Sequence, residues 1–292
     1  MVRQLKEDLW EELIGEIWYR TKSQTSFGER TTIFVFVPIV FLMIATLPQN
    51  IQESWTLHLG SPSFWDAYLT NFIHSSVSHL SGNLQAYVFL MAILLPLAIF
   101  ADWKRELYIT IFFYITVVPF VVSYYSVWTL HGTGVETTVG FSGVVVAFLG
   151  LFPILLFAFF QREVSPSIRI HYSLALVALE LAVILFSWSG VSISVIALVI
   201  LGTLGLGVML WDTRGDWGAL VSSSTNLFLV LITTFTFIFM SYRILVNVGP
   251  HVNVYAHFIG YVSGFMFPGI LSLVLDLRDR FAWVDDRFTL TI

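Results

Sequence analysis

Eight uninterrupted apolar runs, most of them near the ~20 residues that an α-helix needs to cross a hydrocarbon layer, restrict this chain to one kind of architecture. They fall at about residues 33–47, 79–101, 106–127, 141–160, 170–188, 191–211, 226–248 and 254–275. The runs are continuous rather than alternating, and backbone polar groups in lipid must be satisfied within each segment, so the spans are helices and not barrel strands. Charged residues make up 11% of the 292, against roughly 25% in an average soluble domain, and 57% are hydrophobic. The expected fold is an all-α polytopic membrane protein with about eight transmembrane helices. Ser189-Gly190 alone separates the fifth and sixth runs, which therefore form a hairpin over residues 169–212.

The basic residues test that count, because Lys and Arg gather in cytoplasmic loops. With the amino terminus inside, 13 of the 14 Lys and Arg residues fall on the cytoplasmic side, and only Arg243 does not. Both termini are thus expected in the cytoplasm, and the cell membrane is the expected location. The loops 48–78, 128–140 and 249–253 then lie outside, where Trp55, Trp65, Trp128, Phe64 and Tyr68 suit the membrane interface. Residues 1–30 place Leu5, Leu9, Leu13, Ile17, Trp10, Ile14 and Trp18 at helical spacing opposite Glu7, Asp8, Glu11 and Glu12. Such a helix either lies on the membrane face or packs on the chain's own cytosolic loops. Its acidic residues argue against a cleaved signal peptide. The remaining organisation is a membrane domain over residues 31–276 and a cytoplasmic tail over 277–292. The net charge of −5 leaves no footprint for nucleic acid, and the absence of cysteine excludes disulfides, thiol catalysis and thiolate metal sites.

Three polar groups stand out because the expected topology brings them to the outer end at one depth. Gly140-Phe141-Ser142-Gly143 opens the fourth span with a hydroxyl between glycines. Serine beside glycine in a membrane helix is more often a packing device than a nucleophile, so its meaning depends on what faces it. His79 and Asn83 are four residues apart and share a helical face at the start of the second span, with His74 in the entering loop. These residues suit either interhelical hydrogen bonding or donation to a developing oxyanion. His257, Gly260 and Gly264 form one stripe on the eighth span, and the two glycines allow close approach to the smooth face at Ser142, Gly143 and Gly150. That pairing would bring an imidazole to Ser142, which needs a base to become a nucleophile.

Taken together, His74-x4-His79-x3-Asn83, Gly140-Phe141-Ser142-Gly143 and Ala256-His257-x2-Gly260-x3-Gly264 resemble the signature of the rhomboid intramembrane serine proteases, in order and on the expected helices. The resemblance implies a rhomboid-like six-helix core with a two-helix insertion, and hydrolysis of transmembrane protein substrates within the lipid bilayer. It implies Ser142 as nucleophile and His257 as general base, with no cofactor and no metal. His79, Asn83 and the Ser142 amide would form the oxyanion hole, and His74 would brace the outer loop. The helix over 226–248 would border the substrate entrance. Four features depart from the family. The hairpin 169–212 is extra, and the aromatic residue that often stacks on the catalytic histidine is Val146. The acid four places before that histidine is Asn253, and the first outer loop lacks a Trp-Arg pair. Tyr255 and Tyr261 are the residues placed to replace the missing ring.

Other polar residues read more plainly. Glu180, inside the hairpin, is costly in lipid and is expected to be neutral or hydrogen-bonded to a neighbouring helix. His58, His131 and His251 lie in outer loops, His171 lies at the opposite end, and Arg243 has Glu53, Asp66 and Glu136 as possible partners. No histidines and carboxylates show metal-ligand spacing. Two rivals remain, a catalytically silent rhomboid-like protein that binds membrane clients, and a proton-coupled transporter built on Glu180, His79 and His257. The polar groups are not duplicated between halves, which disfavours the transporter.

Overall fold

The computed structural model describes residues 2–249 and 252–289, with side chains for residue 11, residues 13–249 and residues 252–275; His251 and the last residues of the tail lie outside them. The chain is an all-α polytopic membrane protein. Among the described residues, seven helices are each long and apolar enough to cross a membrane, and one bent pair, taken as one span, makes an eighth.

The first helix, α1 (Val2–Gln24), packs on the chain's own bundle, the second of the two arrangements open from sequence. Leu13 is buried, Arg20 pairs with Glu163 at 2.6 Å and lies 4.0 Å over the Phe100 ring, and Thr225 donates to Glu16. Ile14 and Trp18 stay exposed, and the side chains of Leu5, Leu9 and Trp10 lie outside the described residues. The break after α1 comes earlier than expected. Ser26 accepts from the Glu29 amide at 3.1 Å and the Glu29 carboxylate accepts from the Ser26 amide at 2.5 Å, a capping box that starts the first span, α2, at Phe27 and runs it to Ala45. A π-turn over Thr32–Phe36 sits directly before Pro38, whose ring would clash with a carbonyl four residues back in a regular helix.

The second span, α3, runs Val77–Phe100. The third is two helices, α4 (Lys104–Thr116) and α5 (Val118–Leu130), bent by 42° where a single helix was expected. Pro119 accounts for the break: it removes one backbone donor, and the Ile115 carbonyl so released accepts from the Tyr68 hydroxyl at 3.2 Å. Next come α6 (Ser142–Glu163), the hairpin α7 (Ser173–Ser189) and α8 (Ile193–Asp212), then α9 (Ser224–Ser241) continuing as a π-turn over Tyr242–Val246, and α10 (Val254–Thr289). The helix α10 continues without a break into the expected tail region.

Helix α6 is buried along its whole apolar length and is the axis of the bundle, whereas α8 is mostly exposed at the periphery. The closest packing is between α6 and α10. A Cβ built on Gly260 would run into the Gly143 carbonyl, and one on Gly264 into the Ala147 carbonyl, so both positions require glycine for the backbones to touch. Tyr114 on α4 donates to the Gly264 carbonyl, and the Tyr87 hydroxyl on α3 donates to the Ile33 carbonyl at 3.2 Å, tying α4 to α10 and α3 to α2. The loops at the end where α6 begins are joined by a two-residue antiparallel pair, β1 (Leu57–His58) with β2 (Thr137–Thr138). At the far end lie Arg20, Glu29, Lys104 and Glu163, with Lys104 3.2 Å from Glu29.

Candidate active site

Ser142 is the first residue of α6, and its position follows from how the preceding turn is held. Gly140 adopts φ +120°, which side chains rarely tolerate, and a Cβ there would come within 2.5 Å of His79 Cε1. The bare glycine therefore lets the His79 ring lie against the backbone two residues before the serine. Thr70 locks the same turn: its carbonyl accepts from the Gly140 amide at 3.0 Å, and its hydroxyl donates to the Thr138 carbonyl at 2.5 Å while accepting from the Leu57 amide at 3.1 Å. Phe141 is buried with its ring 4.4 Å from Phe41 and 5.8 Å from Phe72. The chain is pinned on both sides of a half-exposed serine whose hydroxyl makes no hydrogen bond among the described residues.

The amides of Ser142, Gly143 and Val144 open the helix and have no carbonyl one turn earlier; the first such bond is Val145 to Phe141, at 2.9 Å. These donors and the positive end of the helix dipole face the site end of the bundle. A carbonyl oxygen gaining negative charge there would be stabilised.

His257 enters from α10, which Asn253 caps by accepting from the Ala256 amide at 3.0 Å. The Asn253 amide donates to Ser126 at 2.9 Å and reaches Thr138 at 3.4 Å, so this residue anchors the start of the histidine helix to α5 and β2. The imidazole is buried, and its Nδ1 lies 2.9 Å from the Ile244 carbonyl in the π-turn that ends α9. A carbonyl only accepts, so Nδ1 carries the proton and Nε2 keeps a lone pair, the form a general base requires. Among the described residues Nε2 has no hydrogen-bond partner, and no Ser142 to His257 hydrogen bond is formed. The two residues start neighbouring ends of the most closely packed helix pair, and His79 is near enough to His257 to interact electrostatically.

Neither Tyr255 nor Tyr261 replaces the ring missing at Val146. Tyr261 packs edge-on against Phe265 at 5.5 Å, Tyr255 meets Trp188 at 6.4 Å, and among the described residues no ring stacks on His257. The Ile244 carbonyl orients the imidazole instead. The hairpin supports that carbonyl's neighbour: Trp188, at the tip of α7, donates from Nε1 to the Leu245 carbonyl at 3.3 Å and packs on Phe258 at 5.5 Å.

Asn83 commits one of its two amide N–H donors. Its amide donates to His74 Nε2 at 2.9 Å, which holds the loop residue against α3, while the rings of His74 and His79 meet edge-on at 5.0 Å. His79 Nδ1 lies 3.3 Å from the Ser75 hydroxyl, which leaves Nε2 on the side facing Gly140. Burial, then the nearby His79 charge, depress His74 to about 4, and a backbone hydrogen bond at Phe72 opposes them. His74 is therefore neutral at pH 7 with its lone pair occupied by Asn83. Below the ordinary value of 6.5 the unfolded chain takes up a proton that the folded chain refuses, so this contribution to stability is present above pH 6.5 and is lost as pH falls to about 4. Thermal unfolding in detergent at pH 7.5 and pH 5 should show a smaller pH-dependent loss for His74→Phe than for the wild type; equal losses would contradict it.

Glu180 lies outside this constellation. It stands beside Ser241 at a cavity of about 140 Å³ lined by Phe152, Leu156, Thr233 and Phe237, and its Oε1 is buried without a partner. Arg243 is exposed and forms no ion pair with Glu53, Asp66 or Glu136, and the described residues hold no cluster of potential metal ligands. No protein-family model matches the chain, and neither the curated proteins nor the solved structures contain a significant match.

Proposed function

We propose that this chain is an intramembrane serine endopeptidase of the rhomboid type, with Ser142 as nucleophile and His257 as general base. The observation that carries the reading is the state of His257: a buried imidazole with Nδ1–H committed to the Ile244 carbonyl and Nε2 free, at the end of the helix packed closest to Ser142. In the reaction Nε2 takes the Ser142 proton as Oγ bonds to the substrate carbonyl carbon, and the oxyanion is held by the opening amides of α6 and by His79. The Nδ1–H to Ile244 bond stabilises the imidazolium that forms. The proton then passes to the leaving amine, the acyl-enzyme remains on Ser142, and a water activated by His257 releases it. Asn83 keeps a second amide N–H for the oxyanion beside the one it donates to His74. Substrates are transmembrane proteins, cleaved near the end of their span at the depth of Ser142. The distribution of basic residues supports both termini in the cytoplasm and a site toward the outer face of the cell membrane.

A silent client-binding relative is the competing reading, and it draws on one observation, the missing Ser142 to His257 hydrogen bond. Catalytic hydrogen bonds are often long in unliganded sites and tighten with substrate, so the protease reading stands ahead. The test is incubation of the purified chain with a transmembrane reporter in lipid vesicles. Two fragments with the break near the site end of the span are expected, and a reporter left intact by folded protein would overturn the proposal.

A further inference from the structure

At the end of the bundle opposite Ser142, the inserted hairpin leaves α10, and a groove of about 870 Å³ opens between α6, the start of α7 and the second half of α10. Its two halves differ in chemistry. One is the entry to α7, where Arg169 and His171 stand on the 3₁₀ turn before the helix and Gln161 faces them from α6. The other is apolar, with Phe265, Met266, Ile270 and Leu273 along α10. Met266, Ile270 and Leu273 are each at least 50% exposed within a span, which places them against acyl chains. Gly269 keeps the wall low, since a Cβ there would meet only Ile154 Cδ1, at 3.8 Å.

The polar half is built for an anion. The positive end of the dipole of a 17-residue helix favours negative charge. Arg169 forms no ion pair among the described residues. Ser173, also in the groove wall, is fully buried with a hydroxyl that has no hydrogen-bond partner among the described residues. The lining contains no carboxylate; Asp212, which touches the lining residue Tyr172, is occupied by that hydroxyl at 2.5 Å. An unpaired guanidinium, an unpartnered hydroxyl and the positive end of a helix dipole at one end, continuous with an apolar trough, match a phosphate that carries hydrocarbon.

We infer that this groove is a binding site for one anionic phospholipid, its headgroup phosphate at Arg169 and Ser173 beside the start of α7, and its acyl chains along α10. The lipid fills the gap between the start of the hairpin and α10. The site is independent of the chemistry at Ser142.

The test uses the full chain reconstituted in bilayer discs of equal phosphatidylglycerol and phosphatidylcholine, released into detergent and weighed intact. The wild type should retain phosphatidylglycerol preferentially. Arg169→Gln, at an exposed position, should lower that preference about fivefold. Gly269→Leu, which fills the apolar half, should lower retention of both lipids. An equal preference in wild type and Arg169→Gln, or retention without headgroup preference, would overturn the inference. So would displacement by inorganic phosphate, which would mark a free-anion site.

Discussion

Ser142→Ala should abolish cleavage of a transmembrane reporter, with a loss on the order of 10⁶-fold, the scale on which removing the nucleophile of a Ser-His machine acts. The substitution should leave the fold untouched. Ser142 is half-exposed and its hydroxyl makes no hydrogen bond among the described residues, so none of them is left unpaired when it goes, and the change in stability should stay within about 0.5 kcal/mol. The turn that presents it is held by Thr70, Gly140 and Phe141, none of which contacts the hydroxyl. Reporter cleavage together with the thermal midpoint of purified protein checks both halves. Residual cleavage above about one-thousandth of wild type would remove Ser142 from the role of nucleophile.

His257→Ala should lose activity on the same scale, but through a different physical profile. The ring is buried and bonded to the Ile244 carbonyl, so its removal leaves a cavity and an unpaired acceptor, the latter worth about 1–3 kcal/mol. The variant should therefore be both inactive and less stable. In the double variant with Ser142→Ala, activity should fall no further than in either single variant, because base and nucleophile act as one unit. A His257→Ala protein that keeps more than a tenth of wild-type cleavage would show that another group takes the serine proton.

The spans were legible because lipid allows few solutions: an apolar run of about 20 residues has to be helical, and α3, α6, α7 and α8 fall within a few residues of the runs that announce them. The glycine faces of α6 and α10 were legible for a similar reason, since close backbone approach leaves only small residues in the sequence. Harder to read was whatever depends on a backbone carbonyl, which has no letter of its own. Ile244 orients the imidazole through its carbonyl, and its aliphatic side chain gives no sign of it. Thr70, which fixes Gly140, is likewise one threonine among many; its role depends on loops 68 residues apart being brought together. The break between α4 and α5 had a signal in Pro119, and so did the π-turn of α2 in Pro38, yet proline in a membrane helix does not say how far the helix bends. Asn83 was assigned by spacing to the same face as His79, which the structure keeps, but spacing alone could not show that His74 takes one of its two amide donors.

The central claim is that Ser142 is made nucleophilic by His257, and covalent capture tests it most directly. Purified wild-type protein treated with a fluorophosphonate in detergent, then digested and mapped by mass spectrometry, should carry the phosphonyl group on Ser142, with labelling lost in His257→Ala. A folded wild-type protein whose Ser142 stays unlabelled, or one labelled equally well without His257, would contradict it.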